Sequence, residues 1–203
     1  MVTVRKYRPG DRSALYEVCL RTGSDGEDAS ALYRDPRLLG EVYVGPYLQF
    51  APEFALVAED DEGIGGYAFG ALETKAFEAA CESSWWPPLR RRYPLGAAGE
   101  RSANAAIVRI IHDPPVAPDG LVGEFPAHLH IDLLPRFQGR GYGRAMMTTL
   151  FEALAQAGAR GVHLGVSRRN TRAIGFYKHL GMSRFGETDD TVIMTLPLAP
   201  RPE

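Results

Sequence analysis

Cysteine is nearly absent: Cys19 and Cys81 are the only two in 203 residues. Two thiols so far apart in the chain make neither a disulfide framework nor a convincing metal site, so they read as reduced, buried side chains. An excess of charge of either sign is also lacking. With 23 basic and 25 acidic residues the formal net charge is -2, so nothing global draws the chain to nucleic acid or to an anionic membrane. No stretch approaches the roughly 18 uncharged apolar residues of a membrane span. The opening residues, MVTVRKYRPGDRSALYEV, alternate polar and apolar instead of forming an apolar run, so no secretory signal is expected and a cytoplasmic location is the default. No internal repeat is visible.

What is present suits one α/β domain. Hydrophobic residues make up 45% and charged residues 24%, values at which a chain of this length buries a core. Val2 to Tyr7 alternates like a strand and is broken at Pro9-Gly10-Asp11, where Asp11 is placed to cap a helix carrying Leu15, Val18 and Cys19 on one face. Thr22 to Asp35 is polar and reads as a mobile loop. A second helix is expected from Pro36 through Leu38, Val42 and Tyr47 to about Phe50. Phe54 to Glu59 and Ile64 to Leu72 form a hairpin around Asp60 to Gly63. The segment 74–126 differs in character. It carries Trp85-Trp86-Pro87-Pro88, the run Arg90-Arg91-Arg92 and a helical stretch from Ala103 to Ile111, and it reads as proline-broken helices followed by a loop from Pro114 to Pro126. His128 to Leu134 is a strand, and Tyr142 to Gln156 a strongly patterned helix ended near Gly158. Val162 to Val166 is a strand, Asn170 to Leu180 a helix, and Met182 to Phe185 and Val192 to Leu196 two further strands. The tail from Pro197 to Glu203 reads as loose. The domain is expected to span 1–203, with a helical insertion at about 74–126.

One segment carries chemistry. Gln138-Gly139-Arg140-Gly141-Tyr142-Gly143 lies between a strand and a helix. A diphosphate needs convergent donors and close backbone approach, and glycines clear the way. The first amides of a helix have no internal partner and the helix dipole favours an anion there. Arg140 and Arg144 add cationic donors. A dinucleotide fingerprint requires Gly-x-Gly-x-x-Gly with an acidic residue ending the next strand, and that strand here ends His163-Leu164-Gly165-Val166. A kinase-type P-loop lacks its Gly-Lys-Ser/Thr end.

Gln138-x-x-Gly141-x-Gly143 resembles the acetyl-CoA signature of the GCN5-related N-acetyltransferase (GNAT) superfamily. Asn170-Thr-Arg-Ala173-Ile-Gly-Phe176-Tyr177 resembles its second motif. Within the superfamily, HLHIDLLPRFQGRGYGRAMM and GVHLGVSRRNTRAIGFYKHLGM look like the acetyltransferase-like C-terminal domain of O-GlcNAc hydrolases (O-GlcNAcase), here without a hydrolase domain. The resemblance implies the GNAT (acyl-CoA N-acyltransferase) fold, a mixed central sheet flanked by helices. It implies acetyl-CoA as co-substrate, no metal, and a small-molecule amine or a lysine side chain as acceptor, in a monomer or dimer.

It also implies roles. Backbone amides near Leu133 and Leu134 would bind the pantetheine arm and polarise the acetyl carbonyl. Gln138, Gly139, Arg140, Gly141, Tyr142, Gly143 and Arg144 would hold the pyrophosphate. Asn170 would hydrogen-bond the pantetheine, with Ala173 and Phe176 beside it. Tyr177 would act as general acid on the departing thiolate, since an ordinary phenol is protonated at neutral pH. For the base, His128, His130 and Asp132 share one strand face. Asp132 ranks first, His130 second, and Glu124 is a weaker candidate. His163 reads as a core histidine, Arg90 to Arg92 as a solvated face, and Trp85 and Trp86 as packing more than as a lid. A non-catalytic acetyl-CoA-binding module is the alternative.

Overall fold

The computed structural model of the chain describes residues 2–96 and 102–198. The tail beyond residue 198 and part of the 74–126 segment lie outside the described residues. Seven strands form one sheet in the order β1-β2-β3-β4-β5-β7-β6. They are β1 (Thr3–Lys6), β2 (Ala55–Asp60), β3 (Gly63–Ala71), β4 (Ala127–Leu133), β5 (Gly161–Ser167), β6 (Ser183–Glu187) and β7 (Thr191–Pro197). Every neighbouring pair is antiparallel except β4 and β5. A parallel pair needs a crossover connection, and the helix supplying it is the one the sequence patterns most strongly.

The helices are α1 (Arg12–Thr22), α2 (Leu38–Tyr43), α3 (Gly45–Phe50), α4 (Thr74–Ala80), α5 (Trp86–Arg92), α6 (Ala103–His112), α7 (Asp119–Glu124), α8 (Tyr142–Gln156) and α9 (Thr171–His179). The glycines of β3 explain how α8 docks. A Cβ on Gly70 would lie 3.0 Å from Leu150 and 3.3 Å from Leu154, so the bare strand admits the α8 ridge. Met146, Met147, Leu150 and Leu154 are buried there. Fully burying each such side chain contributes about 1.5–3 kcal/mol.

Four local expectations are corrected. The helix expected from Pro36 to Phe50 is two helices broken at Val44, because Pro46 lacks an N–H and sits in the first turn of α3. Asp11 does not cap α1; its carboxylate accepts from the Arg8 amide and from Arg5 instead. Pro87 and Pro88 do not break a helix. They occupy the start of α5, which follows α4 through a π-helical turn, Cys81–Trp85. The loop expected from Pro114 to Pro126 contains α7.

Candidate active site

β4 and β5 pair only at Ala127 with Val162 and His128 with His163. Beyond His128 the two parallel strands part, while β3 stays paired to β4 as far as Leu133. A gap lined by unpaired backbone therefore opens in the middle of the sheet. The direction of that backbone is set by alternation. The Leu134 amide donates to the Gly65 carbonyl at 2.8 Å, so it points away from the gap. Ile131 and Leu133, three and one positions earlier, then turn their backbone groups toward the gap. The expectation that used the Leu134 amide moves to Ile131, a residue the sequence reading missed. The Leu133 carbonyl is occupied, since Gln138 Nε2 donates to it at 2.6 Å. That bond ties the following loop to the edge of the gap.

The loop enters α8 through two left-handed residues, Gly139 at φ 71° and Gly141 at φ 83°. No atom lies within 4 Å of a Cβ built on either, so glycine is needed there for its backbone conformation. Gly143 is different: a Cβ would lie 3.1 Å from Leu133 and 3.2 Å from Phe176. It lets the first turn of α8 press against the wall of the gap. From Gly139 to Arg144 no amide donates to a carbonyl among the described residues. The side chain of Arg140 is exposed and has no partner among them. Arg144 donates to the His179 carbonyl at 3.0 Å, pinning α8 to the end of α9, so of the two arginines Arg140 is the one free for an anion. Unpaired amides, left-handed glycines and a free guanidinium suit a diphosphate.

Asn170 caps α9, its Oδ1 accepting from the Ala173 amide at 2.9 Å. Its Nδ2 faces the turn at Ser24 to Glu27, which Asp25 ties to Arg169 at 3.3 Å. The loop expected to be mobile is thus anchored at the second motif. Tyr177, on α9, is buried. Burial first and the Asp132 charge second push its phenol well above the ordinary value. Among the described residues its hydroxyl has no hydrogen-bond partner, whereas every side-chain polar atom sealed from solvent there has one. The hydroxyl therefore reaches accessible space.

A polar cluster lies on the face of β4 that carries His128, His130 and Asp132. Tyr67 of β3 stands directly opposite Asp132. Its hydroxyl donates to Asp132 Oδ2 at 2.5 Å and lies 3.0 Å from His130 Nε2. His130 Nε2 and Asp132 Oδ2 are 3.3 Å apart. The Cys19 thiol is a further hydrogen-bond neighbour of Tyr67, and burial holds it protonated. Tyr43 stacks on the His130 ring with centroids 5.7 Å apart. Donor atoms of Cys19, His130 and Asp132 lie within 4.8 Å of one another. A soft divalent ion could span such a set. The Tyr67 hydroxyl, however, stands among these groups and bonds to them, which accounts for their convergence without an ion. Tyr67, like Ile131, is a residue that sequence reasoning missed. Its only signal was a lone hydroxyl on a glycine-rich apolar strand.

The weaker candidates separate out. His128 Nδ1 is held by Thr74 Oγ1 at 2.9 Å, and burial lowers its pKa to about 3. Glu124 is exposed at the opposite end of β4 from Asp132. His163 is a satisfied core histidine, its Nδ1 2.8 Å from the Phe125 carbonyl. Arg90 is engaged by Glu82 and by the Ile111 carbonyl, and Arg92 by Asp35 and Glu41. Trp85 donates to the Glu41 carbonyl at 2.8 Å and Trp86 is buried, so both pack.

Comparison with known proteins agrees with this geometry. The sequence profile described as the Acetyltransferase (GNAT) family matches residues 27–182. The crystal structure of SsHAT is 38% identical and superposes at a TM-score of 0.90, covering 98% of each chain. Protein O-GlcNAcase of Rattus norvegicus and of Mus musculus is 28% identical over 181 residues. That match takes in 88% of this chain but only 20% of the O-GlcNAcases. The yncA structure from Salmonella typhimurium, solved with its cofactor acetyl-CoA, shares the fold at a TM-score of 0.55. It is 17% identical and covers 98% of this chain and 97% of its own.

Proposed function

The chain belongs to the acetyltransferase (GNAT) family, and from that premise we propose that it transfers an acetyl group from acetyl-CoA directly to a primary amine, borne by a small molecule or a lysine side chain. The observation that carries the reading is the run of unpaired amides from Gly139 to Arg144 at the edge of the β4–β5 gap. Acetyl-CoA supplies the thioester.

The chain's residues supply the rest. The loop and Arg140 bind the diphosphate. The outward backbone of Ile131 and Leu133 receives the pantetheine arm as a further strand would be received, and polarises the thioester carbonyl. Asn170, whose Oδ1 is used in the cap of α9, hydrogen-bonds that arm through its Nδ2. The Tyr177 hydroxyl donates to the departing sulfur. Its raised pKa keeps the phenol protonated across neutral pH and makes it more a hydrogen-bond donor to the developing thiolate than a strong acid. One member of the Asp132–His130 pair receives the proton that the amine sheds. The Ser24 to Glu27 turn beside Asn170 and the 74–126 segment are the variable regions that would select the acceptor.

Thiol release from acetyl-CoA over a panel of primary amines tests this. Turnover should fall by about 10²–10⁴-fold in Tyr177→Phe, with acetyl-CoA affinity retained. Tight acetyl-CoA binding with no turnover on any amine would favour a non-catalytic binding module, and no binding at all would sink both readings.

A further inference from the structure

The hydrogens of the Tyr67 cluster can be counted. An aspartate carboxylate only accepts, and a phenol has a single hydrogen. The 2.5 Å contact from Tyr67 to Asp132 is the length of an O–H···O bond to a charged oxygen, so the phenolic hydrogen lies there. The Tyr67 oxygen can then only accept from His130 Nε2, 3.0 Å away. Asp132 Oδ2, 3.3 Å from the same nitrogen, can likewise only accept. Both contacts require a hydrogen on Nε2. In the neutral ring the lone pair is therefore on Nδ1, which has no partner among the described residues. The ring is held in place by Tyr43 at 5.7 Å and Tyr67 at 5.5 Å between centroids.

We propose that His130, through Nδ1, is the proton acceptor of the reaction, and that Asp132 and Tyr67 are positioning residues that fix its tautomer. The proposal rests on the acetyl-transfer reading above. As the acceptor nitrogen bonds to the thioester carbon, its proton passes to Nδ1. The C–S bond breaks, the sulfur leaves with that electron pair as a thiolate, and the Tyr177 hydroxyl donates a hydrogen bond to it. Nitrogen loses one proton, His130 holds it, and the sulfur carries the matching negative charge. Asp132 is the competing acceptor through its second oxygen. Its Oδ2 is already engaged by the Tyr67 hydroxyl at 2.5 Å, whereas His130 Nδ1 has no partner among the described residues.

The test is direct. Long-range proton–nitrogen correlation spectra of the protein labelled with nitrogen-15 at histidine distinguish protonated from unprotonated ring nitrogens, with His130 assigned by its loss in His130→Gln. In the neutral ring an Nε2–H tautomer is expected in the wild type. In Asp132→Asn the carboxamide can turn a donor toward Nε2 and drive the ring to Nδ1–H; Tyr67→Phe should give a mixture. His130→Gln and Asp132→Asn should each lower kcat by about 10²–10⁴-fold with acetyl-CoA affinity retained. An Nδ1–H ring in the wild type would overturn the proposal whatever the variants do. So would a His130→Gln enzyme with near wild-type kcat beside a dead Asp132→Asn, which would make Asp132 the acceptor. An Nε2–H ring in a wild type that turns over no amine would instead overturn the acetyl-transfer reading, and the base role with it.

Discussion

Gly141 is the sharpest place to test the phosphate loop, because conformation and contact separate there. Its backbone sits at φ 83° and ψ -8° at the N-cap of α8, and no atom lies within 4 Å of an added Cβ. Alanine would therefore meet no neighbour, and the whole cost would be that of an L-residue in the left-handed region, about 1–2 kcal/mol. For a chain of this length each kcal/mol moves Tm by about 2–4 °C, so Gly141→Ala should lower Tm by roughly 2–8 °C, and Gly141→Val by more. Binding should suffer separately. Either the new side chain stands where the amides meet the anion, or the loop relaxes and turns the amides away. Losing even one bond to a charged oxygen, worth about 1.5–3 kcal/mol, weakens acetyl-CoA binding by at least about tenfold. Calorimetric titration with acetyl-CoA, alongside thermal melts, reads both effects. Gly120→Ala is the control, since that glycine also has open space around it but carries no positive φ. A folded Gly141→Val protein with wild-type affinity would refute the diphosphate assignment. An unchanged Tm in Gly141→Ala would refute the strain argument.

Two further outcomes concern the scaffold. Leu150→Ala removes a side chain only 1% exposed that fills the space over Gly70; it should cost about 2–5 kcal/mol, measurable by denaturant unfolding, and a loss below about 1 kcal/mol would mean that α8 is not packed as described. Arg5 clamps Asp11 at 2.7 Å and Glu59 at 2.6 Å, and the Arg5 hydrogen bond holds the Asp11 carboxyl below its ordinary range. Asp11 then contributes stability above the unfolded carboxylate pKa of about 3.9 that is lost as pH falls through the lower folded value. Asp11→Asn should accordingly destabilise the protein at neutral pH and converge on wild type in strong acid; a gap between the two melting curves that does not depend on pH would contradict the linkage.

Strong periodicity made α8 legible: Tyr142 to Gln156 was delimited correctly because its apolar positions recur at helical spacing up to a left-handed glycine. The break at Val44 carries a mark that a single-helix reading passes over: Pro46 lacks an N–H, and Tyr47, nine residues beyond Leu38, falls on the opposite helical face. Only the fold shows that the proline starts a second helix. The π-helical turn at Cys81–Trp85 leaves no mark in composition. At the site, the glycine loop could be read as a local motif. Tyr67 could not, since its meaning lies in a cross-strand register with Asp132, 65 residues away. The same holds for the backbone direction that prefers Ile131 to Leu134, which depends on which neighbour β4 has already paired with.

The parting of β4 and β5 has a mechanical consequence. Residues up to Leu133 build a four-stranded antiparallel plate, and residues from Gly161 onward build a three-stranded one. Each plate is assembled from neighbouring stretches of chain, and only two residue pairs stitch them together at the seam. The helix that joins the two plates along the chain, α8, packs on the first of them and carries the anion loop at its start. A molecule wedged into the seam, hydrogen-bonded to the β4 edge and anchored on that helix, would brace two plates that are otherwise joined at one end. Its occupant would serve the architecture as a keystone while it serves the chemistry as a donor.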